Sequence, residues 1–150
     1  MTALPYANAQ SGERALGEIQ KILRRFGCDR FGSMIDDREQ ILLVQFTYRN
    51  RDVSVKASVS GYAAAWLREN PYTTRKRCTR AEHESKAREI ASVAVYSILR
   101  DWIKGQVTAI ETGILSFEGA FLGQLLLADG KTVLEHANES KLLPKLEEEC

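Results

Sequence analysis

Charge is most unevenly placed between residues 68 and 88. There, seven basic residues (Arg68, Arg75, Lys76, Arg77, Arg80, Lys86, Arg88) meet three acidic ones (Glu69, Glu82, Glu84). Arg75-Lys76-Arg77 and Arg80 are separated only by Cys78 and Thr79, and they stand directly before a helical stretch. Free amides and the positive end of a helix dipole favour phosphate at such a place. Tyr72 and Trp66 lie nearby and offer rings on which a base could stack. The chemistry this pattern suggests is recognition of nucleic-acid or nucleotide phosphates. A solvated linker is the plainer alternative, and docking to an acidic protein surface would use the same residues. Arg49 and Arg51 at a hairpin tip, with Lys56 on the next strand, form a second basic group. A groove between hairpin and helix start would suit a nucleic-acid backbone; the plainer alternative is that hairpin tips are usually polar. Lys21, Arg24 and Arg25 read as the solvent face of the first helix.

Bond-making chemistry finds less support. His83 has Glu82 and Glu84 beside it, but sequence neighbours on a helix point in different directions and make no ligand pair. His136 stands near the end with Glu135 beside it, and no H-E-x-x-H occurs. Cys78 lies in a basic setting close to a helix start, a setting that favours a reactive thiol, and His83 is about a turn away. Asp36-Asp37 could hold a metal, but Asp in a turn more simply bonds its own following backbone. Neither a G-x-S-x-G nor a glycine-rich phosphate loop is present. The expectation is a protein that binds rather than catalyses, with no cofactor and no metal.

The chain has 150 residues, 44% hydrophobic and 27% charged, which is material for one domain. A net charge of +1 favours no partner class. No apolar run approaches the roughly 20 residues of a membrane span. Residues 1–10 show neither a basic start nor an apolar core, so no signal peptide is expected. Three cysteines (Cys28, Cys78, Cys150), odd in number and far apart, argue against a disulfide framework and for a reducing cytosol.

The elements that must position these residues follow from periodicity. Leu16, Ile19, Leu23 and Phe26 form an apolar stripe and predict a helix over 12–26, capped by Ser11 and ended by Gly27. Strands are predicted over 31–35, 41–48 and 53–59. The last two make a hairpin through Arg49-Asn50-Arg51-Asp52, with Asn50 as the turn residue. Residues 41–48 are apolar on both faces near their start, so this strand belongs in the centre. A short helix over 61–69, capped by Ser60, ends at Asn70-Pro71. Thr79-Arg80-Ala81-Glu82 fits a capping box opening a helix that runs to about Thr112, with a kink or close contact at Gly105. Apolar residues nearly all round 90–99 make this helix the buried axis. A further helix over 116–127, a turn at Asp129-Gly130 and a helical turn or two over 131–138 complete the chain. Residues 1–10 and 144–150 are expected to fray. The fold class is α+β in one domain of residues 1–150: an N-terminal helix, a small three-stranded antiparallel sheet with a hairpin, then a mostly helical second half with one long central helix.

Two stretches carry a resemblance. Gly61-Tyr-Ala-Ala-Ala-Trp-Leu67 followed by Asn70-Pro71, and 94–104 continuing to 110–122, are similar to small uncharacterised proteins of phages and prophages of proteobacteria, in which a segment like 127–135 follows. The likeness covers about 26–143 and implies a cytosolic, accessory role in a bacterial host cell. The order helix, three strands, helix also looks like the layout of the double-stranded RNA-binding domain, which carries a basic cluster where Arg75-Lys76-Arg77 and Arg80 stand. The extra helix at 61–69 and the second half have no counterpart in that domain. The expected function is a non-enzymatic phage-type accessory protein. It would bind nucleic acid or nucleotide phosphates through Arg75, Lys76, Arg77 and Arg80, with Tyr72, Arg49 and Arg51 as further contacts. The alternative is an inhibitor of a host defence system, anti-CRISPR-like, docking on a host protein by the same face. No membrane partner is expected. Self-association has a basis in the all-round apolar helix.

Overall fold

The computed structural model describes residues 4–146. Its elements run α1 (Gly12–Phe26), β1 (Arg30–Asp36), β2 (Ile41–Tyr48), β3 (Arg51–Ser58), α2 (Val59–Glu69), α3 (Arg80–Glu111), α4 (Phe117–Phe121) and α5 (Val133–Glu139), with a 3-10 turn at Leu122–Gln124. This is the α+β order expected, with β2 central in an antiparallel β1-β2-β3 sheet.

Local chemistry sets most boundaries. Ser11 accepts the Arg14 amide at the start of α1, and Gly27 ends the helix with φ 110°, where a Cβ would be strained. Ala15, Ile19 and Leu23 form the fully buried stripe of α1, while Leu16 is only half-buried. Gly12 is a packing residue: a Cβ there would lie 2.9 Å from the Tyr96 ring of α3. In the β2–β3 hairpin, Arg49 and Asn50 both have positive φ (47° and 64°), giving a tight two-residue turn between Tyr48 and Arg51.

Leu42, Val44 and Phe46 of β2 and Val53 and Val55 of β3 face the helices. Onto them pack α1 and α2, with α3 between. The fully buried Ala87, Ala91 and Ala94 let neighbouring helices approach α3 closely, and Leu99, Ile103 and Val107 continue its buried side. At the far end of α3, Phe121 is fully buried, edge-on to Phe46 (5.4 Å) and Trp102 (5.7 Å). Phe117, Tyr48 and Phe26 extend this ring cluster to the hairpin tip and the end of α1.

Several boundaries differ from expectation. α2 begins at Val59, because Ser58 rather than Ser60 caps it, its Oγ accepting the Gly61 amide at 2.9 Å. Val59 still donates to the Gln40 carbonyl, so the strand passes into the helix without losing a bond. α3 runs unbroken through Gly105, where added side-chain volume would meet nothing. The helix expected over 116–127 breaks after Phe121. Gly119 and Gly123 weaken it, each by about 1 kcal/mol relative to Ala, and the outer edge of β3 offers better backbone partners. Leu126 donates to the Asp52 carbonyl at 2.8 Å, and Leu125 bridges Val53. Residues 4–10, expected to fray, fold back onto the helices: Tyr62 donates to the Pro5 carbonyl, and Tyr6 donates to Asp101 of α3. At the other expected frayed end, 144–146 are exposed and form no helix or strand, and the remaining residues (1–3 and 147–150) lie outside the described residues.

Phe121 joins sheet, α3 and α4. Phe121→Ala should cost about 3–5 kcal/mol of stability in urea unfolding. A loss below about 1 kcal/mol contradicts its place in the core.

Candidate functional site

The basic tract occupies the loop between α2 and α3, and the loop is built from backbone bonds. The Asn70 amide donates to the Trp66 carbonyl and closes α2. Pro71 prevents the helix continuing. Buried His83, in the first turn of α3, donates through Nε2 to the Asn70 carbonyl at 2.6 Å. Its ring lies between Trp66 (5.2 Å) and Tyr72 (5.8 Å). The Tyr72 hydroxyl then donates to the Cys78 carbonyl at 3.0 Å, across the base of the segment that holds Arg75, Lys76 and Arg77. The Lys76 amide bonds the Thr73 carbonyl. Arg75, Lys76 and Arg77 are thus exposed on a braced loop, and Arg80 is exposed at the first position of α3. Among the described residues, no carboxylate pairs with any of the four.

The two expected stacking rings both have structural partners. Trp66 is buried against His83 and cannot receive a base. Tyr72 is half-buried, its hydroxyl is engaged, and the Arg80 guanidinium stands 5.4 Å from its ring centre, so it braces the loop. The helix start is also less open to phosphate than its position implies. The capping box is formed: the Glu82 amide donates to Thr79 Oγ1 at 3.2 Å, and Glu82 Oε2 accepts the Thr79 amide at 3.1 Å. A carboxylate already sits at the positive end of α3. The unpaired cationic groups here are the four side chains, not the helix-start amides.

The expected groove between hairpin and helix start does not form. The hairpin tip is tied to the other end of α3: Tyr48 packs on Phe117, Arg51 pairs with Glu118, and Gln106 of α3 donates to the Ala120 carbonyl. From Arg80 to Gln106 the axis of α3 rises about 39 Å at ~1.5 Å per residue. Arg49 lies over the Tyr48 ring at 5.2 Å, and the charge of Arg51 is matched by Glu118. Lys56 pairs with Glu135 of α5.

A groove of about 490 Å³ between α1 and α3 went unnoticed in the sequence; it holds Lys21, Arg25, Arg100 and Lys104 with Glu18 and Asp101. Arg100 is neutralised by Glu18 (3.3 Å) and Asp101 (3.0 Å). The Tyr6 hydroxyl, then the Arg100 guanidinium, hold the Asp101 carboxyl below its ordinary range. Only an exact register between residues far apart in sequence creates this network, so no local pattern announces it.

The catalytic candidates have structural occupations. The His83 Nε2 proton is committed to Asn70, so that nitrogen cannot take a proton from Cys78. Asp36 Oδ1 accepts the Arg38 and Glu39 amides, both at 3.0 Å, as the turn role requires. His136 bonds Asp129 at 2.6 Å. Among the described residues, no group of three or more His, Cys, Asp or Glu side chains could hold a metal ion, and no helix is long and apolar enough to cross a membrane.

Comparison with family models, with curated proteins and with solved structures finds no match for this chain.

Two measurements test this geometry. His83→Ala should speed exchange of the Lys76 and Thr79 amides, which are hydrogen-bonded, at least tenfold while the helical circular dichroism holds; unchanged exchange would show that the bond to Asn70 does not brace the loop. Burial, then the charge of Asp29, pushes the Cys28 thiol from 9.0 up to about 11. A shift of that size leaves about 100-fold less thiolate at pH 8, so iodoacetamide should label Cys28 about 100-fold more slowly in the native than in the denatured chain. Equal rates contradict the burial.

Proposed function

We propose that this chain is a non-enzymatic accessory protein that holds nucleic-acid phosphates on the basic loop between α2 and α3. The observation that carries this reading is the presentation of Arg75, Lys76, Arg77 and Arg80: exposed, without carboxylate partners among the described residues, on a loop braced by His83 and Tyr72 and on the first residue of the helix that follows it. A braced loop loses less conformational freedom on binding than a free linker does. Contacts made by side chains to phosphate oxygens position a polymer without reading its sequence. Arg51, already paired, and Arg49 stand with the hairpin tip near the other end of α3 and belong to a separate surface. On this reading the protein works in the cytosol of a bacterial host, as its resemblance to phage and prophage proteins implies.

Fluorescence anisotropy tests the reading with labelled single-stranded DNA, double-stranded DNA and double-stranded RNA, at low and high salt. Binding to at least one polymer should weaken with salt, with a log–log slope of about −0.7 to −0.9 per phosphate contact. Replacing Arg75, Lys76, Arg77 and Arg80 by Ala should abolish it. Replacing Arg49 and Arg51 by Ala should leave it within about twofold. No binding of any polymer at low salt overturns the reading and points to a host protein as the occupant of this face. Binding that survives the fourfold replacement overturns it as well.

A further inference from the structure

The sheet has two edges, and they are treated differently. The outer edge of β3 is covered near the hairpin by the chain around Leu125 and Leu126, which bonds Asp52 and bridges Val53. β1 forms the other edge and, among the described residues, pairs only with β2.

Hydrogen-bond alternation shows which groups that edge presents. In a two-residue hairpin the flanking residues, here Tyr48 and Arg51, exchange both backbone bonds. Val59 donating to Gln40 keeps the same phase at the other end of the ladder. Even-numbered residues of β2 therefore bond β3, and odd-numbered ones bond β1. Through the β1–β2 register, Arg30, Gly32, Met34 and Asp36 bond inward to β2. Phe31, Ser33 and Ile35 are left with their N–H and C=O groups directed outward.

We propose that this free edge of β1 pairs antiparallel with the same edge of a second copy of the chain, with a two-fold axis at Ser33, giving a continuous six-stranded sheet. The occupant follows from the strand's self-complementarity. With the axis at Ser33, Phe31 faces Ile35 of the second copy, Ser33 faces its counterpart, and every outward group of the three residues gains a partner. The same register sets Arg30 opposite Asp36 at both ends. Asp36 Oδ1 is held by the turn amides, which leaves Oδ2 to meet the guanidinium. A shift of one step toward the strand's start sets Arg30 opposite Met34. A shift the other way sets Arg30 opposite Arg38, a like charge. Only the Ser33-centred register satisfies both charge and backbone. Met34 and Ile35, 56% and 53% exposed in the single chain, lie on opposite faces of this seam. Pairing buries Ile35 beside Phe31 of the second copy, on the helix side, and brings Met34 over Gly32.

Sedimentation velocity over a concentration series of the full chain tests this. The chain should form dimers. Ser33→Pro removes an outward N–H and no bond to β2, so it should abolish the dimer with circular dichroism unchanged. Arg30→Gln and Asp36→Asn, the latter keeping the turn acceptor, should each weaken the dimer about fivefold, and together no more than either alone. A chain monomeric throughout the series overturns the proposal. So does a dimer that survives Ser33→Pro, or charge effects that simply add.

Discussion

The structure depends on the burial of one helix. α3 runs 32 residues from Arg80 to Glu111, and its alanines and branched residues are enclosed by α1, α2 and the inner face of the sheet. Everything else takes its position from that axis. The capping box at Thr79 defines where the helix starts, and so where the basic loop stands. Phe121, packed on Trp102 and Phe46, defines where the chain returns to the sheet, and so where the hairpin tip stands. A rigid helix of this length cannot bring its two ends together. The two basic groups are therefore separate surfaces, and a single groove built from both is incompatible with the fold.

Much of the fold was legible because its signals are local. Ser11 and Gly27 bound α1, Thr79 and Glu82 open α3, and Asn50 permits the hairpin turn; each acts on its own neighbours through bonds that the sequence spells out. The misses share the opposite property. Ser58 and Ser60 are both competent caps, and the choice went to Ser58 because Val59 could keep its bond to Gln40 as the helix began. The 116–127 segment reads as helical by its apolar spacing. Its second half is extended because an unpaired strand edge lay within reach, which is a tertiary fact.

The candidate site divides the same way. The concentration of cations at 75–80 is visible in the sequence, but the fate of the rings beside it is not. Tyr72 and Trp66 look like stacking platforms when read in line. In the fold they hold His83 between them, and the three rings brace the loop. His83 itself reads as a chemical residue and serves as a bracket, because its Nε2 proton is taken by a carbonyl thirteen residues back. What an aromatic or imidazole ring does depends on which face is left to solvent, and only packing decides that.

On the proposed function, phosphate is met by the loop between α2 and α3 and by no surface at the far end of α3. Backbone chemical-shift mapping on the isotope-labelled protein, titrated with whichever short polymer binds at low salt, tests this most directly. Shifts should be confined to 72–82, with the amides of 48–52 unmoved. Shifts centred on the hairpin tip with the loop unmoved contradict it.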